Sequence, residues 1–200
     1  MVWFVLITAV IALAVSFHLN KLHIDHLPPT FVVIDLETTG PDPERHEIIE
    51  IGAIRVNRDG SERVDFNMLI KPDKSIPSRV TELTGITQTA LLSTGKPMPV
   101  AIKEFRAFIG DLPLVSFNAD YDLAFLKIAG QNNATTISNK ISCASKMAQR
   151  AWPERKNYHL SVLSKRTNKS KVDDKYRVLD DCQSALTVYL NAASRLRTAA

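Results

Sequence analysis

Cysteine is scarce, with two in 200 residues. Cys143 and Cys182 match neither a zinc-ligand spacing nor a disulfide framework, so both are expected as buried thiols in a reducing compartment. There is no internal repeat and no low-complexity tract. The hydrophobic fraction of 45% and charged fraction of 23% carry no bias towards a disordered or fibrous class. They fit one globular domain of ordinary size with at most an appendage. Excess charge is also slight: the net charge is +4 and the pI about 9.1, a weak lean towards an anionic partner. Its distribution says more. Lys140, Lys146, Arg150, Arg155, Lys156, Lys165, Arg166, Lys169, Lys171, Lys175 and Arg177 are opposed only by Glu154, Asp173 and Asp174. Such a tract suits a phosphate backbone, or simply a solvated face.

Residues 2–17 contain no charge, no glycine and no proline. As a helix they would span roughly 24 Å at 1.5 Å per residue, against a hydrocarbon core of about 30 Å. Residues 1–19 are therefore expected as an N-terminal apolar helix serving as a transmembrane anchor. A cleaved signal peptide and a packed helix are the other readings of the same run. No Lys or Arg precedes it and the first to follow is Lys21, which favours a cytoplasmic body. Residues 20–30, with two His and a Pro pair, read as a linker, and 31–200 as the folded domain.

The body begins with Phe31-Val32-Val33-Ile34, an apolar, β-branched run expected as a buried strand. Two further strands follow over 48–56 and 64–70, joined by a turn at Asn57-Arg58-Asp59-Gly60. Short helices are expected over 76–84, stopped by Gly85, and over 99–109, where Ile102, Phe105 and Ile109 keep helical spacing. A strand over 114–117, a helix over 118–129 with Leu123, Leu126 and Ile128 available to the core, and a strand over 139–143 come next. Helices over 144–152, 159–166 and 177–197 complete the chain, the last packing through Leu179, Cys182, Leu186 and Leu190. This order is that of an α/β domain with a mixed five-stranded sheet, an antiparallel meander and flanking helices.

The first strand carries the chemistry. Asp35 and Glu37 stand two residues apart at its end, so their side chains share one face. Adjacent carboxylates repel and are costly to desolvate, and a hard divalent cation relieves both costs. A strand simply ending in solvated acids is the other reading. Asp122 follows the fourth strand, where ligands collect in α/β sheets. Asp181 lies in the first turns of the last helix, its neighbours Leu179 and Cys182 pointing it inward. Asp180 is better explained by the helix dipole.

Three segments in order, Asp35-Leu36-Glu37-Thr38-Thr39-Gly40, Asn118-Ala119-Asp120-Tyr121-Asp122 and Tyr176-Arg177-Val178-Leu179-Asp180-Asp181, resemble the exonuclease motifs of the DEDD superfamily. Ile48-Ile49-Glu50-Ile51-Gly52-Ala53 and the stretch from Val80 to Thr87 resemble the branch of proofreading epsilon subunits of bacterial DNA polymerase III. The resemblance covers residues 31–193. It implies a ribonuclease H-like fold and a 3′–5′ exonuclease acting on single-stranded 3′ ends of DNA or short RNA. It also implies two Mg²⁺ or Mn²⁺ ions held by Asp35, Glu37, Asp122 and Asp181, with Thr38, Thr39, Gly40 and Asn118 along the terminal nucleotide. That branch has His where Phe117 stands, and a general-base His at the position of Tyr176. The chain thus resembles the His-dependent branch with Tyr in place of its catalytic His. His46 and His159 are candidate substitutes for that base. A weakened enzyme, kept as a nucleic-acid-binding module, is the alternative the same departures imply.

Overall fold

The computed structural model describes residues 24–164 and 177–198. Its centre is a five-stranded sheet of order β3-β2-β1-β4-β5. β1 (Thr30–Thr38), β2 (Ile48–Asn57) and β3 (Arg63–Leu69) form the expected meander. β4 (Leu114–Ser116) and β5 (Ile141–Cys143) add in parallel on the other side of β1. The β2–β3 turn closes through Gly60, at φ 73°, a left-handed conformation that costs glycine little.

Seven helices are described. They are α1 (Ser78–Thr84), α2 (Gln88–Thr94), α3 (Met98–Ile109), α4 (Ala119–Asn132), α5 (Ala144–Ala151), α6 (Leu160–Leu163) and α7 (Arg177–Thr198). α2 was not expected from the sequence; Thr87 caps it, its hydroxyl accepting from the Ala90 N–H at 3.1 Å. α6 is shorter than expected, and 165–166 lie outside the described residues.

The sheet is apolar on both faces because the period of two places β1 residues alternately in two cores. Phe31 and Val33 pack with Val178, Leu179, Cys182, Leu186 and Tyr189 of α7. Val32, Ile34 and Leu36 pack with Ile102, Phe105 and Ile109 of α3 and with Phe125 and Leu126 of α4. Burying each of these large side chains contributes roughly 1.5–3 kcal/mol. Leu123, Ile128 and Leu190, expected in the core, are only half-buried. Cys182 is buried as expected, whereas Cys143 is half-buried.

Residues 24–30, assigned to the linker from sequence, are docked on the body. Ile24 and Leu27 are buried in the α7-side core, and Arg58 donates to the carbonyls of Asp25 and Leu27, both at 2.6 Å. The apolar run 2–17 lies outside the described residues. Among the described residues no helix is long and apolar enough to cross a membrane.

Candidate active site

β1 leaves register with β2 between Glu37 and Thr38, so the acid pair stands where the sheet gives out. Carboxylate oxygens of Asp35, Glu37 and Asp181 lie within 4.8 Å of one another. Asp181 gets there because α7 lies directly over β1 and β2. Gly52, the β2 partner of Asp35, lets it come so close: a Cβ there would stand 2.6 Å from Val178 Cγ2.

Asp122 is outside that triad and is fully enclosed beside it, in the first turn of α4. Its carboxylate accepts from Ser116 Oγ at 2.5 Å and from the backbone N–H groups of Leu36 and Asp122 itself. Burial pushes its pKa up to about 6, against the pull of those hydrogen bonds. The Asp35 carboxyl is raised well above the usual carboxylate range. Desolvation is the main cause, followed by the charges of Asp122, Glu37, Asp181 and Glu50. Four acids facing one another in a partly dry site make a strong demand for a cation, and an all-oxygen donor set suits Mg²⁺ or Mn²⁺.

The groove next to the acids is held by hydroxyls. Thr38 Oγ1 donates to the Gly40 carbonyl at 2.8 Å and shares a 2.6 Å hydrogen bond with the Tyr121 hydroxyl. With Thr38 donating to Gly40, the Tyr121 proton serves the Thr38 contact, and the Tyr121 oxygen lies 3.2 Å from the Gly40 carbonyl. Thr39 Oγ1 accepts from the Glu47 N–H at 3.0 Å. Asn118 is exposed at the start of α4, its N–H donating to Ser116 Oγ at 3.1 Å. His46 lies behind this groove, 3.3 Å from Thr39 Oγ1, and its ring leaves no room for a Cβ on Gly40. His159 is exposed at the start of α6. Neither His belongs to the carboxylate cluster. Tyr176 lies outside the described residues.

Three residues of this neighbourhood escaped the sequence reading as site elements. Ser116 is fully buried and anchors Asp122; a lone Ser ending an apolar strand was its only signal. Tyr121 ties α4 to the end of β1. Glu50 is buried on β2 directly opposite Glu37. Burial raises it from 4.5 to about 7, with Asn67 hydrogen-bonded to it and opposing the rise, and the Glu37 charge adding to it. Of the basic tract, Lys146 is engaged by Asp120 at 2.6 Å, and 165–176 lie outside the described residues.

A mixed sheet with carboxylates clustered at the end of its central strand presents an oxygen donor set of the kind that can hold a divalent cation. A family model described as Exonuclease (RNase_T) matches residues 32–189, and the chain belongs to that exonuclease family. It is 32% identical over 178 residues to the DNA polymerase III subunit epsilon of Aquifex aeolicus, covering 88% of this chain and 86% of that one. It is 30% identical to the PolC-type DNA polymerase III of Clostridium perfringens over 83% of this chain, which spans only 11% of that protein. Among solved structures, E. coli Exonuclease I in complex with a dT13 oligonucleotide superposes with a TM-score of 0.70 at 16% identity. That match covers 86% of this chain and 42% of the other, a likeness of fold.

Proposed function

We propose that the protein is a 3′–5′ exonuclease that removes nucleotides from single-stranded 3′ ends, with DNA the substrate favoured by its relatives. The observation that carries this is the convergence of Asp35, Glu37 and Asp181 within 4.8 Å, with Asp122 buried against them. Asp35, Glu37, Asp122 and Asp181 would hold two Mg²⁺ or Mn²⁺ ions. Such ions, when bound, lower the pKa of an attacking water and stabilise the leaving oxygen. The chain's own contribution is placement. Ser116 and the Leu36 N–H fix the Asp122 carboxylate, and the Thr38–Tyr121 contact fixes the wall along which the terminal nucleotide lies. Asn118 offers a polar side chain to that nucleotide from the start of α4.

Tyr176 takes the general-base position in this proposal. A free phenol has a pKa near 10 and a His near 6.5, so cleavage is slow at neutral pH and rises into the alkaline range. Tyr176→His is expected to be faster at pH 7, and Tyr176→Phe slower. The reaction is tested with oligonucleotides labelled at the 5′ or the 3′ end, in Mg²⁺, Mn²⁺ or EDTA. Release of labelled mononucleotide from the 3′ end, abolished by EDTA and by Asp35→Ala, supports the reading. Retained oligonucleotide binding with no cleavage under any metal would instead make the chain a binding module.

The proposal extends to location. Residues 1–19 anchor the protein in a membrane and residues 31–200, the catalytic domain, face the cytoplasm. The uncharged run 2–17 and the Lys21 that follows it motivate this. Carbonate extraction tests the anchor, and protease protection in spheroplasts tests the side.

A further inference from the structure

The two ends of β1 serve different surroundings. Glu37 stands in the carboxylate cluster, and Thr30 begins the strand roughly 23 Å away at about 3.3 Å per residue. α7 runs the opposite way beside it. Its Asp181 joins the cluster, its Tyr189 meets Phe31 edge-on at 5.5 Å, and its Arg197 ends beside His26 and Leu27. The start of β1, the last turns of α5 and α7, and residues 24–27 therefore form one pole, with the carboxylates at the other.

Among the described residues, the acids at this N-terminal pole are already engaged. The Asp25 carboxylate lies 3.4 Å from Arg58, and Glu154 lies 3.4 Å from Arg195. His26, Arg150 and Arg197 are exposed and border a shallow pocket of about 380 Å³. Its other walls are Leu27, Met147, Tyr189 and Leu196, and among the described residues no acid lines it. Arg150 and Arg197 stand in the last turns of α5 and α7, where a cation complements a helix dipole. That accounts for a basic residue on each helix. It does not account for both converging with His26 on a single apolar-walled hollow. Cations above apolar walls match the bilayer interface, where phosphates lie over hydrocarbon.

We propose that this pocket seats the phosphate of an anionic phospholipid headgroup, docking the body on the membrane by its N-terminal pole with the carboxylate cluster turned away. The proposal rests on the anchoring of residues 1–19. Its occupant follows from chain length: residues 18–23 alone separate the uncharged run from Ile24, and extended they reach at most ~21 Å. The pole is thereby kept within reach of the headgroups. Arg150 consequently leaves the basic tract read as a nucleic-acid face.

The test titrates the full chain, in neutral detergent, with short-chain phosphatidylglycerol below its micelle concentration, short-chain phosphatidylcholine, and inorganic phosphate. Each cation at an anionic surface is worth roughly fivefold in affinity. Arg150→Gln with Arg197→Gln is therefore expected to weaken phosphatidylglycerol binding roughly 25-fold at an unchanged unfolding temperature. If the double variant loses stability, the parent's preference for phosphatidylglycerol over the two other ligands decides. Equal binding of phosphatidylcholine, or binding of phosphate as tight as that of phosphatidylglycerol, overturns the proposal, as does a folded double variant that binds like the parent. Flotation of the full chain with phosphatidylcholine vesicles reads the anchor separately. A chain that does not float refutes the anchor, while the titration still reads the pocket.

Discussion

Glu50 is expected to make the metal-free protein less stable as the pH rises. Its carboxyl titrates near 7 in the folded chain against 4.5 ordinarily. Below pH 4.5 the group is protonated in both folded and unfolded states and costs nothing. As the pH rises towards 7, the unfolded chain ionises freely while the folded chain resists. Above 7 the folded state holds a desolvated charge opposite Glu37. The stability present below pH 4.5 is thus lost as the pH passes through the folded value. At 1.36 kcal/mol per pH unit the loss amounts to roughly 3 kcal/mol.

Glu50→Gln isolates this effect. The carboxamide is nearly isosteric with the protonated acid and can still hydrogen-bond to Asn67. At pH 8 in EDTA the variant should be more stable than the parent by about 3 kcal/mol. A domain of this size moves ~2–4 °C per kcal/mol, so its melting temperature should rise by roughly 10 °C. At pH 4 the two should melt together. Asp35 and Asp122 are shifted in the same direction, so the parent curve falls for several reasons. The difference between variant and parent isolates Glu50, together with the smallest of the charge effects on Asp35, which the Glu50 carboxylate supplies. A difference that does not grow between pH 4 and 8, or a variant less stable at pH 8, would refute the reasoning.

Three other substitutions probe the supports of the site. Ser116→Ala removes the 2.5 Å donor from the buried Asp122. It should cost roughly 1–3 kcal/mol in urea unfolding and raise the Asp122 pKa further; a variant as stable as the parent would deny that contact. Tyr121→Phe keeps the ring against Phe125, 5.0 Å between centroids, and loses the hydrogen bond to Thr38. KM for a single-stranded oligonucleotide should rise with Mn²⁺ affinity unchanged, and an unchanged KM counts against the clamp. Gly52→Ala drives a methyl into Val178, an overpacking worth about 1–3 kcal/mol. It should also displace the start of α7, and with it Asp181, weakening Mn²⁺ binding. Adding Val178→Ala should restore both, and failure of that rescue would separate the two effects.

The acid pair on β1 was legible in the sequence because alternation along a strand survives any packing context: residues two apart share a face wherever the strand lies. Asp181 was legible for a related reason, flanked on its helix by Leu179 and Cys182. α2 was not, since Leu91 is its one buried residue and a helix with no apolar stripe leaves no periodic trace. Glu50 and Ser116 were missed because a polar residue inside an apolar strand pattern does not disclose whether it is enclosed. α4 is the instructive failure. Of Leu123, Leu126 and Ile128, the residues read as its core face, only Leu126 is buried. Counting from Asp122 as an inward residue gives Phe125, Leu126, Ala129 and Gly130 at the following helical steps, and all four are buried. Gly130 closes that face because a Cβ there would meet the Thr135 carbonyl at 2.3 Å. The Asp122 carboxylate therefore lies on the helix's own packing stripe, between Ala119 and Phe125. A rotation of α4 that moved Asp122 away from Asp35 would also pull Phe125 and Leu126 out of the core. The hydrophobic packing of this helix thereby holds a buried acid, raised by desolvation, against its acidic neighbours.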